Sequence, residues 1–149
     1  MPDSTIRIRA AAADDANAIA ALLLELGHAV PRVEIPTRLL AVMKDHGAVL
    51  VAVDDEDRPL GVISLSRHVA LHAAGPIAYI TALVTGSTAR RRGIGQRLVE
   101  AAKAWAAEQG CVRLSVTSAE RRADAHAFYP ACGLPYTGRR FSMEMPRDR

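Results

Sequence analysis

Residues 5–10, Thr-Ile-Arg-Ile-Arg-Ala, alternate apolar and polar side chains, the period-two signature of a strand. Asp14 and Asp15 then supply a helix start, and Ile19, Leu22, Leu23 and Leu26 recur on one face until Gly27. After a looser segment with His28, Pro31 and Pro36, a second short helix is predicted over residues 37–45. Its inward positions are Leu39, Leu40 and Met43, and Gly47 follows its end. Residues 48–53, Ala-Val-Leu-Val-Ala-Val, read as a buried strand. The acidic turn Asp54-Asp55-Glu56-Asp57-Arg58-Pro59 joins it to a strand over residues 60–67, a hairpin whose charges are expected to face solvent rather than a metal. A loop with His68, His72, Gly75 and Pro76 leads to a strand over residues 77–85.

The texture then changes. A glycine- and arginine-rich stretch opens a long helix ending near Gln109, with Ile94, Leu98, Ala101, Ala102 and Trp105 as its apolar face and Gly110 as its stop. Val112, Leu114 and Val116 alternate as a strand, and a short helix is predicted over residues 122–129. Residues 134–145 read as one or two terminal strands. A hairpin first, then strands alternating with helices, predicts a mixed α/β sheet with helices packed on it. With no repeat or low-complexity linker, residues 1–149 are expected to form one domain.

Composition narrows the class. At 50% hydrophobic and 23% charged residues, the chain is too apolar for a disordered tail. No apolar run approaches the roughly 20 residues of a spanning helix, so no membrane role is expected. The N-terminus lacks the regions of a signal peptide, which predicts a cytoplasmic setting. Cys111 and Cys132 are too few for a disulfide scaffold and are expected to be reduced, buried thiols. The net charge of +3 hides a division: residues 1–85 carry 7 basic and 10 acidic side chains, residues 86–149 carry 12 and 6. The basic half is expected to meet an anion.

The place for that anion is the turn Arg90-Arg91-Arg92-Gly93-Ile94-Gly95. A helix start leaves its first N–H groups unpaired, with the positive end of the dipole behind them. Gly93 and Gly95, lacking Cβ atoms, let a phosphate approach the backbone. The turn is not a nucleotide-binding P-loop, because Gly95-Gln96-Arg97 replaces Gly-Lys-Ser/Thr. It is not a dinucleotide fingerprint either, since Leu98 stands where the third glycine is needed.

Arg90-x-x-Gly93-x-Gly95 after Leu83-Val84-Thr85 resembles the central motif of the GCN5-related N-acetyltransferase (GNAT) family. A second family motif appears as Arg122-x-x-Ala125-His126-Ala127-Phe128-Tyr129-Pro130-Ala131-Cys132-Gly133-Leu134. The resemblance spans residues 5–145, with the specific motifs in residues 77–134. It implies a mostly antiparallel sheet of about six or seven strands flanked by about four helices. It also implies acetyl transfer from acetyl-CoA to a primary amine in a ternary complex, without a metal. Backbone groups of Leu83, Val84 and Thr85 would hold the pantetheine arm where two strands splay apart. An amide there, Leu83 or Val84, would support the thioester oxyanion. The amides from Arg91 through Gln96, including Arg92 and Ile94, would hold the pyrophosphate beside Arg90. Arg122 and Phe128 would flank the cofactor, Arg122 standing where many relatives have Asn. Tyr129 would protonate the departing thiolate. Pro130 departs from the pattern, and the short helix is expected to end or kink at Tyr129.

Many relatives carry a carboxylate near the positions of Thr81 and Ala82, which cannot take a proton at neutral pH. Thr81 would orient a water instead, with His28, His68, His72 or Glu34 as the proton's destination. His28, Glu34 and His72 are the candidates for acceptor binding, in the variable segments 27–47 and 67–76. A small amine such as an aminoglycoside, polyamine or amino acid is favoured over a protein. Relatives are commonly homodimers, but no interface is legible. Two alternatives remain: an acyl-CoA-binding sensor without turnover, and a basic nucleic-acid-binding module. Aromatic content of 4% and the acidic first half speak against the second. Trp105 and Phe128 are expected in the core, His126 in a packing role, and Cys132 as an inert thiol.

Overall fold

The computed structural model describes residues 5–89, 92–116, 123–138 and 141–147, with the backbone alone for residues 123–126. Backbone contacts divide the chain into two compact units, Met1–Val116 and Thr117–Arg149.

In the first unit the predicted alternation becomes β1 (Arg7–Ala10), followed by α1 (Ala16–Leu26). Gly27, at φ 108°, takes the left-handed conformation that closes α1, a conformation an L side chain rarely adopts. α2 (Ile35–Lys44) starts two residues before the predicted span, with Pro36 in its first turn, where no intrahelical N–H is needed. Then come β2 (Ala48–Val53), β3 (Pro59–His68), β4 (Ile77–Thr85), α3 (Ile94–Glu108) and β5 (Arg113–Val116). The sheet order is β1-β2-β3-β4-β5, antiparallel except for β4 and β5, which run parallel across the α3 crossover.

Each face of this sheet buries helices. On one, Ile19 and Leu22 of α1 and Ile35 and Leu39 of α2 pack on Val51, Val53, Val62 and Val84. On the other, α3 lies over Gly61, where a Cβ would sit 3.0 Å from Ile94 Cγ2 and 3.2 Å from Leu98 Cδ1. Each large apolar side chain buried this way contributes about 1.5–3 kcal/mol.

Several expectations need correction. Leu40 and Met43 point outward, 57% and 59% exposed, because the buried stripe of α2 runs through Ile35 and Leu39, four residues apart on one face. Trp105 is half-buried; Val99 and Ala106, smaller and closer to the sheet, complete the α3 face. Among the described residues the sheet has five strands rather than six or seven. No strand forms among the described residues of 134–147, although Phe141, Met143 and Met145 alternate. Period-two spacing buries side chains only where a sheet face receives them, and these three are 91%, 75% and 73% exposed.

In the second unit, α4 (Ala123–Ala131) runs through Tyr129 and Pro130 rather than stopping at Tyr129. Proline here removes only one late i→i−4 bond, and the following turn closes the helix firmly. Leu134 N–H donates to the Tyr129 carbonyl at 2.9 Å and Gly133 N–H to Pro130 at 3.0 Å, with Gly133 at φ 96°.

The acidic hairpin turn is more ordered than a solvated loop. Asp54 is buried and accepts N–H bonds from Glu56 and Arg58, both 2.9 Å. Arg9 forks onto Asp15 at 2.8 and 2.9 Å and reaches Asp57 at 2.9 Å. Asp15 also accepts the Ala12 amide at 2.8 Å, tying β1, the start of α1 and the hairpin together. The Arg9 guanidinium holds the Asp15 carboxyl below the usual carboxylate range, against the opposing effect of burial. Its stabilising contribution is therefore complete above about pH 4, the unfolded value, and fades as pH falls through the lower folded value. Asp15→Asn is expected to cost about 1–3 kcal/mol at pH 7. In denaturant titrations the gap to wild type should narrow towards about pH 2; an equal gap at both pH values would contradict the pairing.

Candidate functional site

β4 has two differently occupied edges. β3 pairs along all of it, whereas β5 pairs only with Ile77–Ile80 and ends opposite Ile80 at Val116. Among the described residues, Thr81–Thr85 have no strand on that second side. The register between β3 and β4 shifts at the same point: Ser64 faces Ala82 and Leu65 faces Ile80, so Thr81 is the extra residue of a bulge. The Thr81 hydroxyl donates to the Ser64 carbonyl at 3.1 Å, and its side chain remains exposed.

Which backbone groups face the open edge follows from one bond. Gly86 N–H donates to the Leu60 carbonyl at 2.8 Å. In an antiparallel ladder such pairs recur every second residue, so Val84 and Ala82 spend their backbone groups on β3. Leu83 and Thr85 turn their amides and carbonyls to the open edge. Val84, expected to present its amide there, instead bonds to β3 and buries its side chain among Ile19, Leu22 and Val62. Of the two amides considered for the oxyanion, only that of Leu83 faces the opening.

Beyond β4, the chain makes a 3-10 turn at Ser87–Ala89 and enters α3 through Gly93. Gly93 sits at φ 73°, ψ 15°, and α3 carries no side-chain cap. The first intrahelical bond runs from Arg97 N–H to the Gly93 carbonyl at 3.1 Å. The amides of Ile94, Gly95 and Gln96 therefore have no partner within the helix and point out of its positive end. A Cβ on Gly93 would meet no atom of the described residues within 4 Å. Arg92 is exposed beside them, while Ile94 is buried and anchors the helix start. Geometry and charge here together suit an anion. Arg90, Arg91 and Arg122 lie outside the described residues.

Within the first unit the remaining site candidates are not gathered in one place. His28 is exposed just past the end of α1, and Glu34 is paired with Arg38 at 2.7 Å. His72 is exposed in the loop before β4, at the Ile77 end of the strand. α1 instead ends at the other end of β4: the Glu25 carboxylate accepts the Ser87 amide at 2.9 Å. The two ends of β4 are about 27 Å apart at strand rise. His68 bonds to Ser66 at 2.9 Å and meets the Tyr79 ring edge-on. In the second unit, Tyr129 and Phe128 are half-buried and stack edge to face with centroids 5.3 Å apart. Cys132 is buried. A hollow of about 460 Å³ beside α1, lined by Ala20, Ala21, Leu24, Val30 and Pro31 among others, is almost wholly apolar and offers no anchor for a cationic amine. Among the described residues no group of His, Cys, Asp and Glu is placed to hold a metal, and no helix is long and apolar enough to cross a membrane.

The open strand edge leading into an uncapped helix start accords with one further finding. The sequence profile of the acetyltransferase (GNAT) family matches residues 16–134. The chain belongs to this family. Solved structures share the GNAT fold at lower identity. A transcriptional regulator from Bacillus halodurans C-125 aligns at TM-score 0.84 and 24% identity, covering 95% of this chain and 100% of that one. An aminoglycoside N-acetyltransferase in complex with CoA aligns at TM-score 0.84 and 18% identity, covering 97% of each. An aminoglycoside 6'-N-acetyltransferase from Acinetobacter baumannii aligns at 0.79 and 20%, covering 97% of this chain and 100% of that one. No curated protein sequence matches. As a GNAT protein the chain is an acyl-transferring enzyme of the N-acetyltransferase type.

Proposed function

We propose that this GNAT protein transfers an acetyl group from acetyl-CoA to a primary amine, acting as one domain over residues 1–149. The observation that carries the reading is the continuity of two donor sets: the open edge of β4 at Leu83 and Thr85, and the amides of Ile94, Gly95 and Gln96, which have no partner among the described residues. The first set suits the amides of a pantetheine arm, which extends the sheet in strand fashion. The second suits a pyrophosphate, with Arg92 and, by motif, Arg90 and Arg91 supplying charge. Relatives with this fold include an enzyme solved with CoA, which supports the same donor here.

Leu83 N–H holds the oxyanion that develops as the amine attacks the thioester carbonyl. The Thr81 hydroxyl, committed as a donor to Ser64, keeps its lone pairs to orient a water that receives the amine's proton. Tyr129 returns a proton to the CoA sulfur; a phenol of usual pKa about 10 matches a thiolate of similar basicity. The acetyl group passes directly to the amine, with Cys132 taking no part. His28 and Glu34, in the α1–α2 connection, supply the acceptor-side contacts.

Aminoglycoside acetyltransferases among the fold's relatives favour a small cationic amine as acceptor. A CoA-release screen across aminoglycosides, polyamines, amino acids and peptide amines tests this. The expected result is release dependent on a small amine, with intersecting double-reciprocal plots. Parallel plots would contradict direct transfer.

A further inference from the structure

We infer that Glu25 is a positioning residue for the cofactor turn, fixing from α1 the backbone that leads into the phosphate cradle; this rests on the acetyl-CoA reading above. Glu25 has no part in the family motifs and lies 62 residues from its partner. Its carboxylate accepts the Ser87 amide at 2.9 Å, and Ser87 is the first residue of the turn that carries the chain from β4 to Gly93.

Three contacts fix the start of that turn. Gly86 N–H bonds to the Leu60 carbonyl, locking the residue to β3. A Cβ at Gly86 would stand 3.2 Å from Leu22 Cδ2, so α1 is seated directly against the turn. One helical turn along α1 from Leu22, Glu25 then takes the next amide. The Ala89 N–H bond to the Gly86 carbonyl at 2.9 Å and the full burial of Ala89 carry that placement forward. At the far end, buried Ile94 holds the start of α3. The cradle is thus strung between an anchor in the α3 core and an anchor on α1, and Glu25 is the polar half of the second.

The Glu25 carboxylate acts by selective satisfaction. Glu25 takes the Ser87 amide at the start of the turn, while the Ile94, Gly95 and Gln96 amides stay open for phosphate. A preordered turn does not have to be ordered by the ligand, and affinity rises accordingly.

The experiment compares CoA, which carries the pyrophosphate, with pantetheine, which lacks it. Wild type, Glu25→Ala and Glu25→Gln are titrated with each by calorimetry or NMR, and Ser87 amide exchange is followed. Glu25→Ala is expected to weaken CoA about tenfold, in line with losing one charge-assisted hydrogen bond. It should leave pantetheine within about twofold and speed Ser87 exchange. Glu25→Gln keeps an acceptor oxygen and should restore CoA affinity to near wild type. In turnover, KM for acetyl-CoA should rise in Glu25→Ala with kcat retained. Unchanged CoA affinity in Glu25→Ala, or equal weakening of CoA and pantetheine, overturns the inference. Wild type that binds no CoA overturns the acetyl-CoA reading itself, and this inference with it.

Discussion

Gly93→Val is expected to weaken CoA binding by about 30- to 100-fold, the equivalent of roughly 2–3 kcal/mol. Two costs combine. At φ 73° a β-branched side chain is strained by about 1–3 kcal/mol, so the turn relaxes away from its left-handed geometry. The valine side chain also adds bulk next to the Ile94, Gly95 and Gln96 amides in sequence, where the proposed phosphate oxygens need to approach. Gly93→Asn separates the two, because asparagine tolerates the left-handed region. It should keep near-wild-type thermal stability yet still lose CoA affinity. Calorimetry with both variants checks this. Wild-type affinity in Gly93→Val would show that the start of α3 does not hold the phosphates.

Tyr129→Phe is expected to lower kcat by about 100-fold or more while acetyl-CoA affinity stays within about twofold. Phenylalanine keeps the ring and its edge-to-face contact with Phe128, so packing in α4 is retained and only the hydroxyl is lost. If Tyr129 protonates the departing sulfur, that loss falls on the transition state alone. Equal loss of binding and turnover would instead make Tyr129 a packing residue. Wild-type turnover would remove its role altogether.

Much of the frame was legible because local pattern and tertiary environment agree. The unbroken apolar run at residues 48–53 is buried between two helical layers as β2, and Gly27 closes α1 in the conformation that glycine alone adopts cheaply. Ile94 and Leu98 were legible as core because α3 lays one stripe on Gly61. Failures came where periodicity had no partner to act on. Phe141, Met143 and Met145 alternate without a sheet face to bury them. Leu40 and Met43 were misplaced because the buried stripe of α2 runs through Ile35 and Leu39, and Ile35 lay outside the predicted span.

The chemistry divides in the same way. The residues of the proposed phosphate cradle stand out in the sequence because its glycines and arginines are contiguous. The open edge of β4 was expected from the family motif alone; which amides it offers needed the register. Leu83 rather than Val84 faces the opening because Gly86 bonds to Leu60, a fact of strand pairing invisible in composition. Glu25 and the Arg9–Asp15–Asp57 network are long-range contacts between residues of ordinary surface type, and nothing local marks them.

The proposed role of these donor sets is acetyl transfer, and not acyl-CoA binding alone. The most direct measurement incubates the wild-type protein with acetyl-CoA carrying a heavy-isotope acetyl group and one small primary amine from the screen. Mass spectrometry then follows amine and protein together. The expected result is labelled acetyl on the amine, formed in equal amount with free CoA over many turnovers, and no labelled protein. Tight CoA binding with no labelled amine from any class in the screen would contradict it and make the protein a sensor.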